Sequence, residues 1–296
     1  MRLAEVTLRH GGSLRAVQLG KRIALQLGAV LSLGIVCGAL YVLYQTLQTI
    51  RLRDVLDSFA ALPGWSIALA FAVTLASYLV VTGYDVIALR HIGRPLPYWR
   101  AGLAGFLASA FGNNIGFALL TGGSVRYRIY SRAGLSGLEI AGITTLCSIT
   151  TAVGMSFVLA VSLLFGTGTA AESVFHVPLE LRRTLGALVL AAMLVYLLAS
   201  ARRRLSIRTS TWALQLPTAT TALAQGALAT LDLLLVGTLI YLLLPGHGGT
   251  SFIDFLGVFA LAMMAGGASN VPGGLGVFET VLLLGLPEVA PAALLG

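Results

Sequence analysis

Apolar residues in this chain fall in long unbroken blocks, without the helical or alternating spacing of a soluble core. Residues 24–47, 66–89, 138–165, 184–200 and 219–244 are each almost wholly apolar, and short polar segments separate them. About 20 apolar residues in a helix cross a bilayer core of roughly 30 Å, so the pattern predicts five membrane spans. Two further stretches, 102–120 and 252–291, are as apolar but carry Gly, Asn and Pro within them. The interruptions are Gly112-Asn113-Asn114-Ile115-Gly116 and Asn270-Val271-Pro272-Gly273-Gly274. The expected fold class is all-α, a polytopic transmembrane helical bundle.

Composition agrees. Of 296 residues 57% are hydrophobic and 10% charged, with a mean hydropathy of +0.91, against about 25% charged in soluble domains. Residues 1–23 form a basic segment with Arg2, Arg9, Arg15, Lys21 and Arg22. The apolar run after it is longer than the 7–15 residues or so of a signal-peptide core, so it reads as a retained span and 24–296 as one membrane domain.

Positive residues in short loops face the cytoplasm, which orients the chain. With the N-terminus inside, the second span returns to Arg90, Arg94 and Arg100. If 102–132 crossed fully, Arg126, Arg128 and Arg132 would lie outside. If it entered and turned back, they would stay inside, and a later loop would place Arg202, Arg203, Arg204 and Arg208 inside as well. That arrangement puts fifteen of the 19 basic residues on the cytoplasmic face, and it predicts re-entrant hairpins at both interrupted stretches. Irregular backbone at membrane depth is tolerated only beside protein or a polar cavity, so each interruption should border one. The alternative is a pair of kinked helices with small-residue packing at Gly112 and Gly116.

The two halves also resemble each other. Asp85 ends one long apolar helix, a Pro-containing loop follows, and Phe106-Leu107 opens the first interrupted stretch. Asp232 lies in another long helix, Pro245 sits in the next loop, and Phe255-Leu256 opens the second stretch at a similar interval. The loop before the first is basic and the loop before the second, 246–250, has no Lys or Arg. Like elements in opposite orientation mark inverted-repeat transporters, whose sites lie between the repeats.

Ionisable residues within spans are functional candidates. Asp232 sits deep within its apolar run 219–244, Asp85 lies near the end of its own, and Glu279 follows the second interruption. Glu139 reads as a helix-dipole residue at the start of a span, and Asp254 is open between roles. In Thr121-Gly122-Gly123-Ser124-Val125-Arg126-Tyr127-Arg128, glycines at the start of a half-helix would present backbone N–H groups to an anion. Arg126 and Arg128 would add guanidinium forks suited to phosphate; the alternative is an inner-face anchor for anionic lipid. A ligand with both a phosphate and an amine would suit this set. The scattered His10, His91, His176 and His247 and the isolated Cys37 and Cys147 suggest no metal site, and neither a cofactor nor a catalytic constellation is expected.

The run Gly112-Asn113-Asn114-Ile115-Gly116-Phe117, with Thr121 to Arg128 and Ser131 after it, resembles the membrane region of the bacterial multiple peptide resistance factor, the phosphatidylglycerol lysyltransferase/flippase family. Val271-Pro272-Gly273-Gly274-Leu275-Gly276-Val277-Phe278-Glu279 and the Asp232 helix are similar as well, and the likeness covers most of 60–296. The resemblance implies a multi-pass protein of the bacterial inner membrane, homodimeric, that moves aminoacylated phosphatidylglycerol such as lysyl-phosphatidylglycerol to the outer leaflet and so confers resistance to cationic antimicrobial peptides. In full-length relatives a cytosolic C-terminal domain makes that lipid from phosphatidylglycerol and lysyl-tRNA. The chain stops at Gly296, soon after the second interruption, so further spans and that lysyltransferase domain are expected only in longer relatives, and no catalytic residue is assigned here. On this resemblance Asp85, Asp232 and Glu279 would meet the head-group ammonium groups. Arg126, Arg128, Gly122, Gly123 and Ser124 would meet the phosphate, while Asn113, Asn114, Asn270, Pro272, Gly273 and Gly274 would form the two breaks. An ion-coupled transporter of a small solute is the alternative function.

Overall fold

The computed structural model describes residues 64–167, 177–202, 206–209, 212–215, 217–244 and 250–286, together with Tyr41. The expected span 24–47 and the basic segment 1–23 lie outside the described residues, apart from Tyr41. The elements are α1 (Gly64–His91), α2 (Tyr98–Ile115), α3 (Ala118–Tyr130), α4 (Gly137–Phe165), α5 (Leu179–Arg202), β1 (Ser206–Thr209), β2 (Trp212–Gln215), α6 (Ala219–Leu243), α7 (Phe252–Ser269) and α8 (Val277–Gly285). Five of them, α1, α4, α5, α6 and α7, are long and apolar enough to cross a membrane. Four match expected spans, and the fifth is the first part of the interrupted stretch 252–291. The only departure from helix among the described residues, beyond turns, is the short antiparallel pairing of β1 with β2, in the polar segment between α5 and α6.

Helix starts follow local chemistry. Ser136 caps α4 through its Oγ, and the Glu139 carboxylate accepts the Ser136 backbone N–H at 2.7 Å. This reciprocal box satisfies donors that a helix start leaves free. At the starts of α7 and α6, Ser251 Oγ accepts the Asp254 N–H and Thr218 Oγ1 accepts the Thr221 N–H. Along α4 the hydroxyls of Thr144, Ser148, Thr150 and Thr151 donate to carbonyls one turn back.

Both interrupted stretches are helical hairpins. In the first, a Cβ at Gly112 would lie 3.4 Å from Ala118, and one at Gly122 would lie 3.2 Å from the Ala108 carbonyl. These paired positions step in opposite directions along the chain, so α2 and α3 run antiparallel. In the second, Gly266 faces Gly274 and Phe278 while Gly285 faces Val258, which makes α7 and α8 antiparallel too. At about 1.5 Å per residue, α3 is roughly 20 Å long and α8 roughly 14 Å, so neither alone crosses a core of about 30 Å.

The core falls in two parts. Around the first hairpin, Tyr84, Leu89, Tyr130, Ile143 and Leu146 pack together from α1, α3 and α4. Around the second, Val158, Leu233, Phe255, Phe259 and Leu282 pack from α4, α6, α7 and α8. The long helices α4 and α6 contribute to both parts. They cross closely, since a Cβ at Gly154 would lie 2.3 Å from that of Ala229. The hairpin tips meet between the two parts.

Candidate functional site

Each hairpin turns where the backbone takes a left-handed conformation. In the first, Gly116 has φ 82° and Phe117 φ 48°; in the second, Asn270 has φ 57° and Gly273, Gly274 and Gly276 are also positive. Bulky residues rarely adopt such angles, so Phe117 sits in a costly geometry that its neighbours enforce. The two turns touch. A Cβ at Gly116 would lie 2.9 Å from the Asn270 carbonyl oxygen and 3.1 Å from the Pro272 nitrogen.

Two neighbouring cavities open beside this contact. One, of about 450 Å³, is lined by Gly112, Asn113, Gly116, Asn270, Gly273 and Gly274, among others. The second, of about 180 Å³, shares Gly112, Asn113 and Met155 with the first and is lined as well by Tyr84, Arg126 and Asp232. Both interruptions thus border a cavity. Asn113 makes no side-chain hydrogen bond among the described residues, whereas Asn114 donates to the Ala110 carbonyl at 2.7 Å and Asn270 to that of Ala268 at 3.2 Å.

Asp232 is half-buried in α6 and faces the smaller cavity. It accepts hydrogen bonds from the Ser77 hydroxyl at 2.5 Å and from the Tyr84 hydroxyl, both on α1. No cationic side chain pairs with it among the described residues.

Asp85 and Arg126, expected to meet a ligand separately, are bound to each other. Arg126 Nε donates to one Asp85 oxygen at 2.9 Å and Nη2 to the other at 2.8 Å. Tyr130 Oη adds a bond at 2.7 Å, and Cys147 Sγ lies 3.7 Å away. Asp85 is 0% exposed and Arg126 7%. A buried carboxylate is tolerable only when paired and hydrogen-bonded, and here both oxygens are satisfied. Arg126 nonetheless lines the cavity, with its Nη1 toward Gly122.

Other expected residues take different places. Gly122, Gly123 and Ser124 lie inside α3, whose hydrogen-bonded ladder begins at Leu120 and Thr121. Their amides are engaged in the helix and cannot present a free N–H nest, because the half-helix starts at Ala118, four residues before Gly122. Gly122 instead lets α3 approach Ala108, and Gly123 faces Thr144. Arg128 is exposed on α3. Glu279 accepts the Gly276 N–H at 2.6 Å as the cap of α8 and stands outside the lining of both cavities. Asp254 is also structural: it accepts from Ser251 Oγ at 2.6 Å and from the Thr167 N–H at 3.0 Å, tying the start of α7 to the end of α4. Among the described residues no group of three His, Cys, Asp or Glu side chains gathers to hold a metal.

Ser77, Tyr84, Tyr130 and Gln225 were not singled out from sequence. Ser77 and Tyr84 are seven residues apart, two helical turns on one face of α1, as are Gln225 and Asp232 on α6. Gln225 donates to Thr150 at 2.7 Å within the same α4–α6 contact. Polar residues repeating at that interval inside apolar helices were a readable signal.

Two helical hairpins meeting tip to tip within long apolar helices, with a carboxylate and a guanidinium beside their contact, define a multi-pass helical membrane protein with a polar site inside the bundle. No protein-family model matches the chain. It is 35% identical over 245 residues to the uncharacterized protein slr0712 of Synechocystis, covering 82% of this chain and 76% of that protein, and it belongs to the same family. It is also homologous to the inner membrane protein YbhN of Escherichia coli, with 32% identity over 219 residues, 72% of this chain and 66% of that one. The relationship to the phosphatidylglycerol lysyltransferase of Staphylococcus aureus is more distant, at 24% identity over 246 residues, and the chain spans 28% of that enzyme's length. The kinship read from the Gly112–Arg128 run is therefore present at a distance, and higher identity lies with slr0712 and YbhN.

Proposed function

We propose that this protein moves a phospholipid whose head group carries both a phosphate and an amine, such as lysyl-phosphatidylglycerol, from the inner to the outer leaflet of the bacterial inner membrane. The observation that carries this reading is Asp232, a carboxylate without a cationic partner among the described residues, set in a cavity that Arg126 also lines. An ammonium would complete Asp232, and a phosphate would meet the edge of Arg126 not taken by Asp85, with Arg128 a further contact nearer the mouth. Asp85 then holds the guanidinium in place. The distant relationship to an enzyme named for phosphatidylglycerol supports a phospholipid substrate, and the relationship to YbhN supports the inner membrane as location.

In this reading the two hairpins are re-entrant and form an inverted repeat, with the N-terminus cytoplasmic, the first hairpin entering from inside and the second from outside. Their touching tips close the path at mid-depth, and movement of one hairpin against the other exposes the cavity to each side in turn. The acyl chains stay in lipid while the head group crosses. The protein would act as a homodimer, and a more cationic outer leaflet would resist cationic antimicrobial peptides. Synthesis of the lipid from lysyl-tRNA is not assigned to these residues.

A direct test is expression of the chain beside a lysyl-lipid synthase, with an impermeant amine reagent reporting surface lipid. The expected result is surface lysyl-lipid that Asp232→Asn abolishes while total lysyl-lipid is unchanged. Equal surface exposure with and without the protein contradicts the reading and favours transport of a small solute.

A further inference from the structure

Asp232 faces the smaller cavity with no cation paired to it among the described residues. The groups facing it from the packed elements are Ser77 and Tyr84 on α1, with Asp85 behind them, Arg126 on α3 and Cys147 on α4. Neither α5 nor α7 contributes a charged side chain to the lining of this cavity; Tyr196 of α5 reaches α6 at Gln225, away from it. Asp254 of α7 is engaged with Thr167 and Ser251. Of these groups Arg126 alone is a cation, and two of its nitrogens are spent on Asp85. The Asp85 carboxylate and the Arg126 guanidinium are engaged with each other. Asp232 is thus the carboxylate of this cavity that is left open to a positive partner.

A carboxylate at this depth is costly unless something positive joins it. Two species in the proposed cycle can do so: the ammonium of the lipid, or a proton. They cannot occupy it together, since a protonated carboxyl no longer attracts an ammonium. We propose that proton and ammonium alternate on Asp232, so that each amine-bearing lipid carried outward is exchanged for one proton carried inward. The proposal rests on the lipid-translocation reading and adds its energy source.

The steps balance. With the cavity open to the cytoplasm, Asp232 releases its proton to water and takes the ammonium. With the cavity open outward, the lipid leaves and a proton from outside water adds to the carboxylate oxygen. The site returns inward as the neutral acid, hydrogen-bonded to Ser77 and Tyr84. Lysyl-phosphatidylglycerol has one phosphate and two ammonium groups and so carries a single net positive charge. Its exchange for one proton moves no net charge. A pH gradient drives it and a membrane potential does not. At one proton per lipid, each unit of pH difference, acid outside, shifts the outer-to-inner lipid ratio by about tenfold.

The test uses the full chain in vesicles containing lysyl-phosphatidylglycerol or, as control, only phosphatidylglycerol, with a trapped pH dye and an impermeant amine reagent. Expected are proton movement that requires the lysyl-lipid, a lipid ratio that follows the pH gradient, and no response to a potential set with potassium and valinomycin. Asp232→Asn, recovered with the wild-type elution profile, should lose both fluxes, while Asp232→Glu keeps them coupled. Lipid movement indifferent to pH, without proton flux, overturns the exchange and leaves translocation standing, as does movement driven by potential. An absence of lipid movement under either gradient overturns both.

Discussion

Gly116 lies against the backbone of Asn270, so close that a Cβ on the glycine would sit 2.9 Å from the Asn270 carbonyl oxygen. Each residue marks the turn of a helical hairpin, and their contact makes two halves of the chain share one polar interior. The glycine is required twice over, by that approach and by its φ of 82°. With a ψ of −179° this backbone is open essentially to glycine alone, and holding a residue with a Cβ there costs about 1–3 kcal/mol, before any clash.

Gly116→Ala is therefore expected to lower thermal stability in detergent by at least that amount and to impair transport by holding the tips apart. Gly267→Ala is the control, because a Cβ there meets nothing within 4 Å. Scanning fluorimetry of both variants checks the contrast, and equal melting temperatures would contradict the role given to the tip contact.

The Asp85–Arg126 pair predicts a different pattern. Removing one partner leaves a buried charge alone, at a cost of about 3–5 kcal/mol, so Asp85→Leu and Arg126→Met should each destabilise strongly. The double variant should regain much of that stability, since a buried ion pair can be exchanged for apolar packing at little cost. It should still fail to transport, because Arg126 lines the cavity. Tyr130→Phe removes one bond to Asp85 and should cost about 1.5–3 kcal/mol, as for a hydrogen bond to a charged group. Denaturation and transport measured on the same preparations separate the two effects.

Much of the fold was legible because a bilayer imposes a simple rule on sequence. The ends of α1, α4, α5 and α6 fall within a few residues of those read from apolar runs, and the Asn-, Gly- and Pro-bearing interruptions coincide with the two turns. The start of α3 was displaced, for a physical reason. Gly122-Gly123 suggested the start of the half-helix, yet the positive φ angles fall at Gly116 and at Phe117, whose type gives no such cue, and Gly122 and Gly123 serve close helix packing. The engagement of Arg126 by Asp85 was not readable. Their types are those of a ligand site, and only the tertiary structure, which brings the Asp85 and Arg126 side chains together, reveals that each satisfies the other. The place of Asp232 beside a cavity was legible by depth alone, since its long-range partners, the Ser77 and Tyr84 hydroxyls, bring no charge to it.

Orientation can be checked by cysteine labelling. Ser131→Cys, at the end of α3, should react with an impermeant maleimide only from the cytoplasmic side, and Ile253→Cys, at the start of α7, only from outside. Reaction of both from the same side would contradict the opposed hairpins.

Service of a lipid head group by Asp232 inside the bundle is tested with purified protein in vesicles made asymmetric in lysyl-phosphatidylglycerol, with transbilayer movement followed for wild type and Asp232→Asn. Movement by the wild type and a loss of at least tenfold in the variant at equal folding are expected. Movement that proceeds equally in both, or in neither, contradicts this role for Asp232.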